Sequence, residues 1–231
     1  MKFIKSFIKK TLQTLLPETI INVLKKLNTT RQLYLKKAAK RQKDKAEFEA
    51  WLERGAPIPT PHIAKQHIIK EYQLKYHIDI LVETGTFLGI MVEAQKKRFK
   101  KIISIELGID LFEAAQIKFA NDKHITIVQG DSGKVLPKIL KTITTPAIFW
   151  LDGHYSGGIT AQGDKDCPIF EELDAIFGSD GTSNHILLID DASLFVGTGD
   201  YPTIENLTKY VKTKNKNYQV EVNHDVIRYT I

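Results

Sequence analysis

From Asp79 onward, short apolar runs alternate with stretches whose apolar residues recur at helical spacing. The runs are DILVE, KIISIE, HITIV, AIFWLD and HILLID, and the helical stretches lie near 90–98, 109–120, 133–142 and 168–177. Runs that are apolar throughout suit strands covered on both faces, and strands separated by helices cross over and pair in parallel. A further helix near 203–212 precedes YQVEV and VIRYTI, which are separated by Asn223, His224 and Asp225. That spacing predicts a tight hairpin that closes the sheet with an antiparallel strand. The pattern as a whole predicts an α/β fold, a doubly wound, seven-stranded, mostly parallel sheet preceded by N-terminal helices.

The N-terminal helices carry a different pattern. Phe3, Phe7, Ile8, Leu12, Leu15 and Leu16 recur at helical spacing among Lys2, Lys5, Lys9 and Lys10, giving a basic amphipathic helix before Pro17. Such a helix either docks its apolar stripe on protein, including a second copy in a homo-oligomer, or lies on an anionic membrane surface through residues 1–16. A second helix is expected from about Arg31 to Arg54. The proline-rich GAPIPTPH then reads as a linker, after which Thr60 is expected to cap a helix with Pro61 at its first position. The predicted division is therefore a basic helical segment, 1–54, and a larger α/β domain, 55–231.

Charge sharpens that division. The chain of 231 residues carries a formal net charge of +6, yet residues 1–54 hold 14 Lys/Arg against 5 Asp/Glu, and the remainder is slightly acidic. With no basic stripe in the α/β domain, nucleic acid is not expected as a partner or substrate. The single cysteine, Cys167, excludes an internal disulfide and a zinc-cysteine cluster, so a reducing, cytoplasmic compartment is expected, with the inner membrane face as a peripheral site. No stretch approaches the roughly 20 apolar residues that span a bilayer.

In an open α/β sheet, ligands bind beyond the carboxyl ends of the strands, so acids placed there are weighed together. The first run leads into Glu83-Thr84-Gly85-Thr86-Phe87-Leu88-Gly89, an acid followed by glycines that let a ligand approach backbone N–H groups, or that simply mark a turn. The second ends at Glu106, 23 residues after Glu83, the spacing of an acid that accepts ribose hydroxyls from the neighbouring strand. The third leads into Gln129-Gly130-Asp131-Ser132, which suits an adenine amino group and equally suits a helix N-cap.

Taken in this order and spacing, VETGTFLG, ISIE, QGDS and WLD resemble the class I S-adenosylmethionine-dependent methyltransferases over about Asp79–Ile231. The resemblance implies a Rossmann-like fold and S-adenosyl-L-methionine as cofactor. It implies a cofactor site of Glu83, Thr84, Gly85, Thr86, Phe87, Gly89, Glu106, Asp131, Ser132 and Asp152, with Glu83 near the amino group of the methionine moiety.

The fourth run ends Asp152-Gly153-His154 and the fifth Asp190-Asp191. Carboxylates gathered at adjacent strand ends repel unless protonated or sharing a cation, and an all-oxygen set suits Mg²⁺, Mn²⁺ or Ca²⁺. The pattern is similar to metal-dependent O-methyltransferases that modify sugars in antibiotic biosynthesis. That resemblance implies Asp152, Asp190 and Asp191 as ligands and places the catalytic base at His154, where family members have aspartate; Asp152 is counted with it as catalytic. The glycine-rich segment after Gly153 suits a substrate lid, with Tyr155, Asp164 and Lys165 as candidate contacts to a small polar acceptor, and SLFVGTGDYP is expected to line the opposite wall. The reading is thus a methyltransferase acting on a hydroxyl of a sugar or glycoconjugate. Its rivals are a metal-independent enzyme with His154 as sole base, and a membrane- or nucleic-acid-associated binding module with a degenerate nucleotide fold.

Overall fold

The computed structural model describes residues 17–153, 165–178 and 184–231. The chain divides into two compact units, Met1–Arg54 and Gly55–Ile231. In the first, α1 (Glu18–Glu53) is one continuous helix of 36 residues. It starts well before the expected Arg31, because Pro17 takes the N-cap position, where its missing N–H costs nothing. Periodicity did not reveal this first stretch, whose Thr29 and Thr30 return their hydroxyls to the carbonyls of Lys25 and Lys26. The basic amphipathic stretch expected over residues 1–16 lies outside the described residues. Among those described, no helix is long and apolar enough to cross a membrane.

The second unit begins with α2 (His62–Tyr76) and continues through β1 (Ile80–Thr84), α3 (Ile90–Gln95), β2 (Lys101–Glu106), α4 (Ile109–Phe119) and β3 (Ile125–Gln129). Next come α5 (Ser132–Leu140), β4 (Ile148–Leu151), α6 (Ile169–Gly178), β5 (Ile186–Ile189), a short 3₁₀ turn (Ala192–Leu194), α7 (Ile204–Lys214), β6 (Gln219–Asn223) and β7 (Val226–Thr230). The α3 helix ends earlier than its apolar spacing suggests, as Arg98 N–H bonds the Gln95 carbonyl in a tighter turn. Thr60 does not cap α2; it is buried, and its hydroxyl donates to the His224 carbonyl instead, leaving Pro61 at the N-cap.

The seven strands lie in the order β3-β2-β1-β4-β5-β7-β6, parallel from β3 to β5, with β7 antiparallel to both neighbours. Alternate side chains of each buried strand serve opposite layers. Leu81, Ile102, Ile148, Trp150, Ile186 and Leu188 pack with Ile68, Ile69, Met91, Val92 and Phe119 of α2, α3 and α4. Val82, Ile103, Phe149, Leu151, Leu187 and Ile189 pack with Leu136, Leu173, Leu207 and Val211 of α5, α6 and α7. Each such side chain contributes roughly 1.5–3 kcal/mol on burial, which explains why these runs contain so few polar residues. The hairpin turn is His224-Asp225, both in the left-handed region (φ 50° and 56°), which matches the twist of a two-residue connection.

The chain winds outward from β1 to β3 and then returns to place β4 on the other side of β1. This is the topological switch point, where a crevice opens above the strand ends. Register aligns Thr84 with Ile105 and with Leu151, Glu106 with Gln129, and Leu151 with Ile189. The residues that end these strands therefore share one rim.

Candidate active site

At that rim the loop after β1 is set by Gly85 (φ +83°), where a Cβ would stand 2.3 Å from the Asp152 carbonyl oxygen. Only glycine allows the loop to pass so close to the end of β4. Gly85 and Thr86 N–H groups both donate to the Ile105 carbonyl, at 3.0 and 3.1 Å, and Asp152 N–H donates to Thr84 Oγ1 at 3.1 Å. Gly89 leads into α3 with its Cα against the Phe119 ring, where a Cβ would meet carbon at 2.7 Å. Phe87, itself left-handed at φ 47°, donates its N–H to Glu106 Oε2 at 2.7 Å, while Gly108 N–H donates to Oε1 at 2.9 Å. Both oxygens of Glu106 are thereby oriented, and each retains accepting capacity.

Glu83 is buried beneath the loop and accepts from Ser104 Oγ, whose hydroxyl also bonds Thr86 Oγ1 at 2.6 Å. Burial pushes the Glu83 carboxyl up to about 8, with the Ser104 hydrogen bond opposing that rise. A cavity of about 210 Å³ opens above it, lined by Lys65, Glu83, Gly85, Thr86, Phe87 and Asp152, with Thr60, His62 and Trp150 among its other walls. Glu106 adjoins this cavity through Phe87. Asp131 and Ser132 stand at the next strand end, outside its lining.

Asp131 caps α5 by accepting from Gly133 N–H at 3.0 Å and pairs with Lys134 at 3.1 Å. The Ser132 hydroxyl is spent on Glu172 Oε1 at 2.6 Å, both residues being buried. Glu172 reaches back from α6 toward the end of β4, where a Cβ on Gly153 would lie 2.8 Å from its Oε1.

Asp152, Asp190 and Asp191 offer carboxylate oxygens within 4.8 Å of one another, an oxygen set suited to a hard divalent cation. Lys65 of α2 enters the same crevice. Its Nζ lies 2.6 Å from Asp190 Oδ2 and 3.0 Å from Asp191 Oδ1, and the Asp190 side chain is wholly buried. A dication fits this donor set only where the ammonium withdraws. Burial pulls the Lys65 ammonium down, yet Asp190 and Asp191 outweigh it and hold it above the usual lysine range. Burial raises Asp190 in spite of Lys65, and it raises Asp152 well above the carboxylate range, with repulsion from Asp190 adding to the effect.

Glu83, Thr84, Gly85, Thr86, Phe87, Gly89, Glu106 and Asp152 thus come together at the switch point. His154, Tyr155 and Asp164 lie outside the described residues; Lys165 is described and pairs with Glu171. Sequence reasoning missed Lys65, Ser104 and Glu172. Ser104 carried a faint signal, as a polar residue inside the apolar run KIISIE.

No protein-family model matches the sequence, and no curated protein matches it. Solved structures resemble it at the level of fold. The O-methyltransferase TomG from Streptomyces achromogenes, involved in tomaymycin synthesis and solved in complex with SAM, is 14% identical with a TM-score of 0.55, over 79% of this chain and 86% of that one. An O-methyltransferase from Bacillus cereus in complex with SAH is 9% identical with a TM-score of 0.51, over 81% and 90%. The SAH-bound Podospora anserina methyltransferase PaMTH1 is 14% identical with a TM-score of 0.50, over 79% and 86%. The fold is that of the class I S-adenosylmethionine-dependent methyltransferases.

Proposed function

We propose that this chain is an S-adenosylmethionine-dependent O-methyltransferase acting on a small polar acceptor, with a sugar or glycoconjugate hydroxyl as the favoured class. The observation that carries the reading is the shared rim: Glu83, Glu106 and Asp152 end adjacent strands around a glycine turn that only a close-packed backbone requires. The cofactor supplies a methyl group on a sulfonium, a carbon already activated for displacement. The chain's residues supply binding and alignment. Glu83 receives the ammonium end inside the cavity. Glu106, its carboxylate fixed by Phe87 and Gly108, would accept the ribose hydroxyls, and Asp131 would meet the adenine amino group. When bound, the cofactor would give that methyl carbon to the acceptor oxygen, the electron pair of the carbon–sulfur bond remaining on sulfur. The hydroxyl proton would pass to a base, the role that the sequence suggests for His154.

Positive charge near the acceptor oxygen comes from one of two sources, a divalent ion on Asp152, Asp190 and Asp191 or the Lys65 ammonium. The two short Lys65 contacts favour the second. Calorimetry of the full chain with S-adenosylmethionine and with its demethylated product tests the assignment. Micromolar binding is expected, weakened roughly ten-fold or more in Glu106→Ala by the loss of charge-assisted hydrogen bonds. The absence of binding at millimolar ligand ends the reading.

A further inference from the structure

The sequence pattern calls for a metal at the acidic crevice, and the structure puts a lysine there. We infer that Lys65, not a divalent cation, is the resident counterion of Asp152, Asp190 and Asp191, so that the crevice works without metal. The inference deepens the proposed function and, for turnover, rests on it.

Three observations carry it. Lys65 Nζ contacts both members of the Asp190-Asp191 pair, at 2.6 and 3.0 Å, and so engages one oxygen of each of two of the three carboxylates. The lysine is also built in rather than draped over the surface. Its side chain is 17% exposed, and it rises from the first turn of α2, which begins just after Thr60 bonds the His224 carbonyl. The acids hang from the same hairpin. Ala192 N–H donates to the Asp225 carbonyl at 2.8 Å and Ser193 N–H to Asp225 Oδ1 at 2.7 Å, fixing the segment that follows Asp191. The turn His224-Asp225 therefore tethers donor and acceptors together. Lastly, Lys65 lines the cavity that Glu83 and Asp152 share, so its charge faces the space in which a ligand would sit.

A dication and an ammonium sharing the same two carboxylates repel strongly at contact range. Entry of metal would require Lys65 to leave, which its tethered helix opposes. In this arrangement Lys65 supplies the positive field beside the acceptor oxygen that a Lewis acid would otherwise provide, and it does so without an ion that a chelator can remove.

The test uses the full chain stripped of metal and titrated with Mn²⁺, bound ion being read by electron paramagnetic resonance and stability by thermal unfolding. Wild type is expected to bind no ion at this crevice and to unfold at the same temperature with Mg²⁺, Mn²⁺ or chelator. Lys65→Met, with its carboxylates uncompensated, is expected to unfold at a lower temperature, to gain a Mn²⁺ site that wild type lacks, and to regain stability as Mn²⁺ is added. One equivalent of Mn²⁺ bound by wild type and lost in Asp190→Asn overturns the inference, and so does a folded Lys65→Met that ignores Mn²⁺. Should Lys65→Met fail to fold, wild type against Asp190→Asn decides alone. These readouts need no S-adenosylmethionine, so their failure is separable from failure of the proposed activity, for which chelator-insensitive turnover is expected.

Discussion

Gly85 and Asp152 meet backbone to backbone: a Cβ on the glycine would lie 2.3 Å from the aspartate's carbonyl oxygen, and the glycine sits at φ +83°. Any side chain there must both adopt a left-handed conformation and push β4 away from the β1 loop. Gly85→Ala is expected to cost about 2–4 kcal/mol of stability and to remove cofactor binding. Gly199 provides the control, being left-handed at φ +59° with open space around it. Gly199→Ala is expected to cost only roughly 1 kcal/mol, the conformational part alone. Urea unfolding of both variants, with calorimetry on the folded protein, checks the difference.

On the proposed function, with Glu83 holding the cofactor's ammonium, cofactor binding becomes a titration. Burial lifts its carboxyl from 4.5 to about 8, opposed by the Ser104 hydrogen bond. The unfolded carboxyl ionises above 4.5 while the folded one keeps its proton to about 8, so the ligand-free protein loses stability as pH rises through that window. An ammonium placed against Glu83 favours the ionised form. Binding near neutral pH is therefore expected to release close to one proton and to tighten as pH rises toward 8. Calorimetry in buffers of different ionisation enthalpy measures that proton. Its persistence in Glu83→Gln would assign it elsewhere.

The acid limit of stability is set in part by His185. Its ring is buried against Phe149, and Nδ1 accepts the Ala147 N–H at 3.1 Å. Burial lowers its pKa from 6.5 to about 4. Below 6.5 the unfolded chain takes up a proton that the folded chain refuses, so the stabilisation present above 6.5 is lost as pH falls toward 4. Roughly 2 kcal/mol should disappear by about pH 5, one pKa unit being worth about 1.4 kcal/mol. His185→Gln, which keeps an acceptor but cannot titrate, is expected to flatten the urea midpoint between neutrality and that pH. An unchanged slope would place the acid sensitivity in other groups.

The sheet was legible because its strands are short, apolar on both faces and separated by helices. Those features impose parallel pairing, and parallel pairing sets the strand-end acids along one edge. Glu83, Glu106 and Asp152 could be found this way because each lies within a residue or two of a run that had to be buried. Lys65 and Glu172 could not. Lys65 reaches Asp190 across 125 residues of sequence and Glu172 reaches Ser132 across 40, and neither sits in a local pattern that sets it apart from other helical charges. Their importance comes from what α2 and α6 pack against. Thr60 was misread for a related reason, since its local context suits a cap while the hairpin offers its hydroxyl a buried carbonyl.

At the third strand end, Ser132 separates a structural role from the ligand-binding one proposed for Asp131. Its hydroxyl donates to Glu172 Oε1 at 2.6 Å in a buried setting, while the neighbouring Asp131 carboxylate stays at the start of α5. A buried carboxylate oxygen that loses a donor is costly, so Ser132→Ala is expected to lower stability by about 1–3 kcal/mol. Because the hydroxyl is already committed, the same variant should alter S-adenosylmethionine affinity by less than about three-fold, well under one hydrogen bond to a charged group. Asp131→Ala should do the reverse in proportion, losing more affinity than Ser132→Ala while giving up only about 1 kcal/mol of capping stability. Paired urea unfolding and calorimetry on the two variants decides the matter. A large affinity loss in Ser132→Ala would mean that its hydroxyl turns from Glu172 to the ligand on binding.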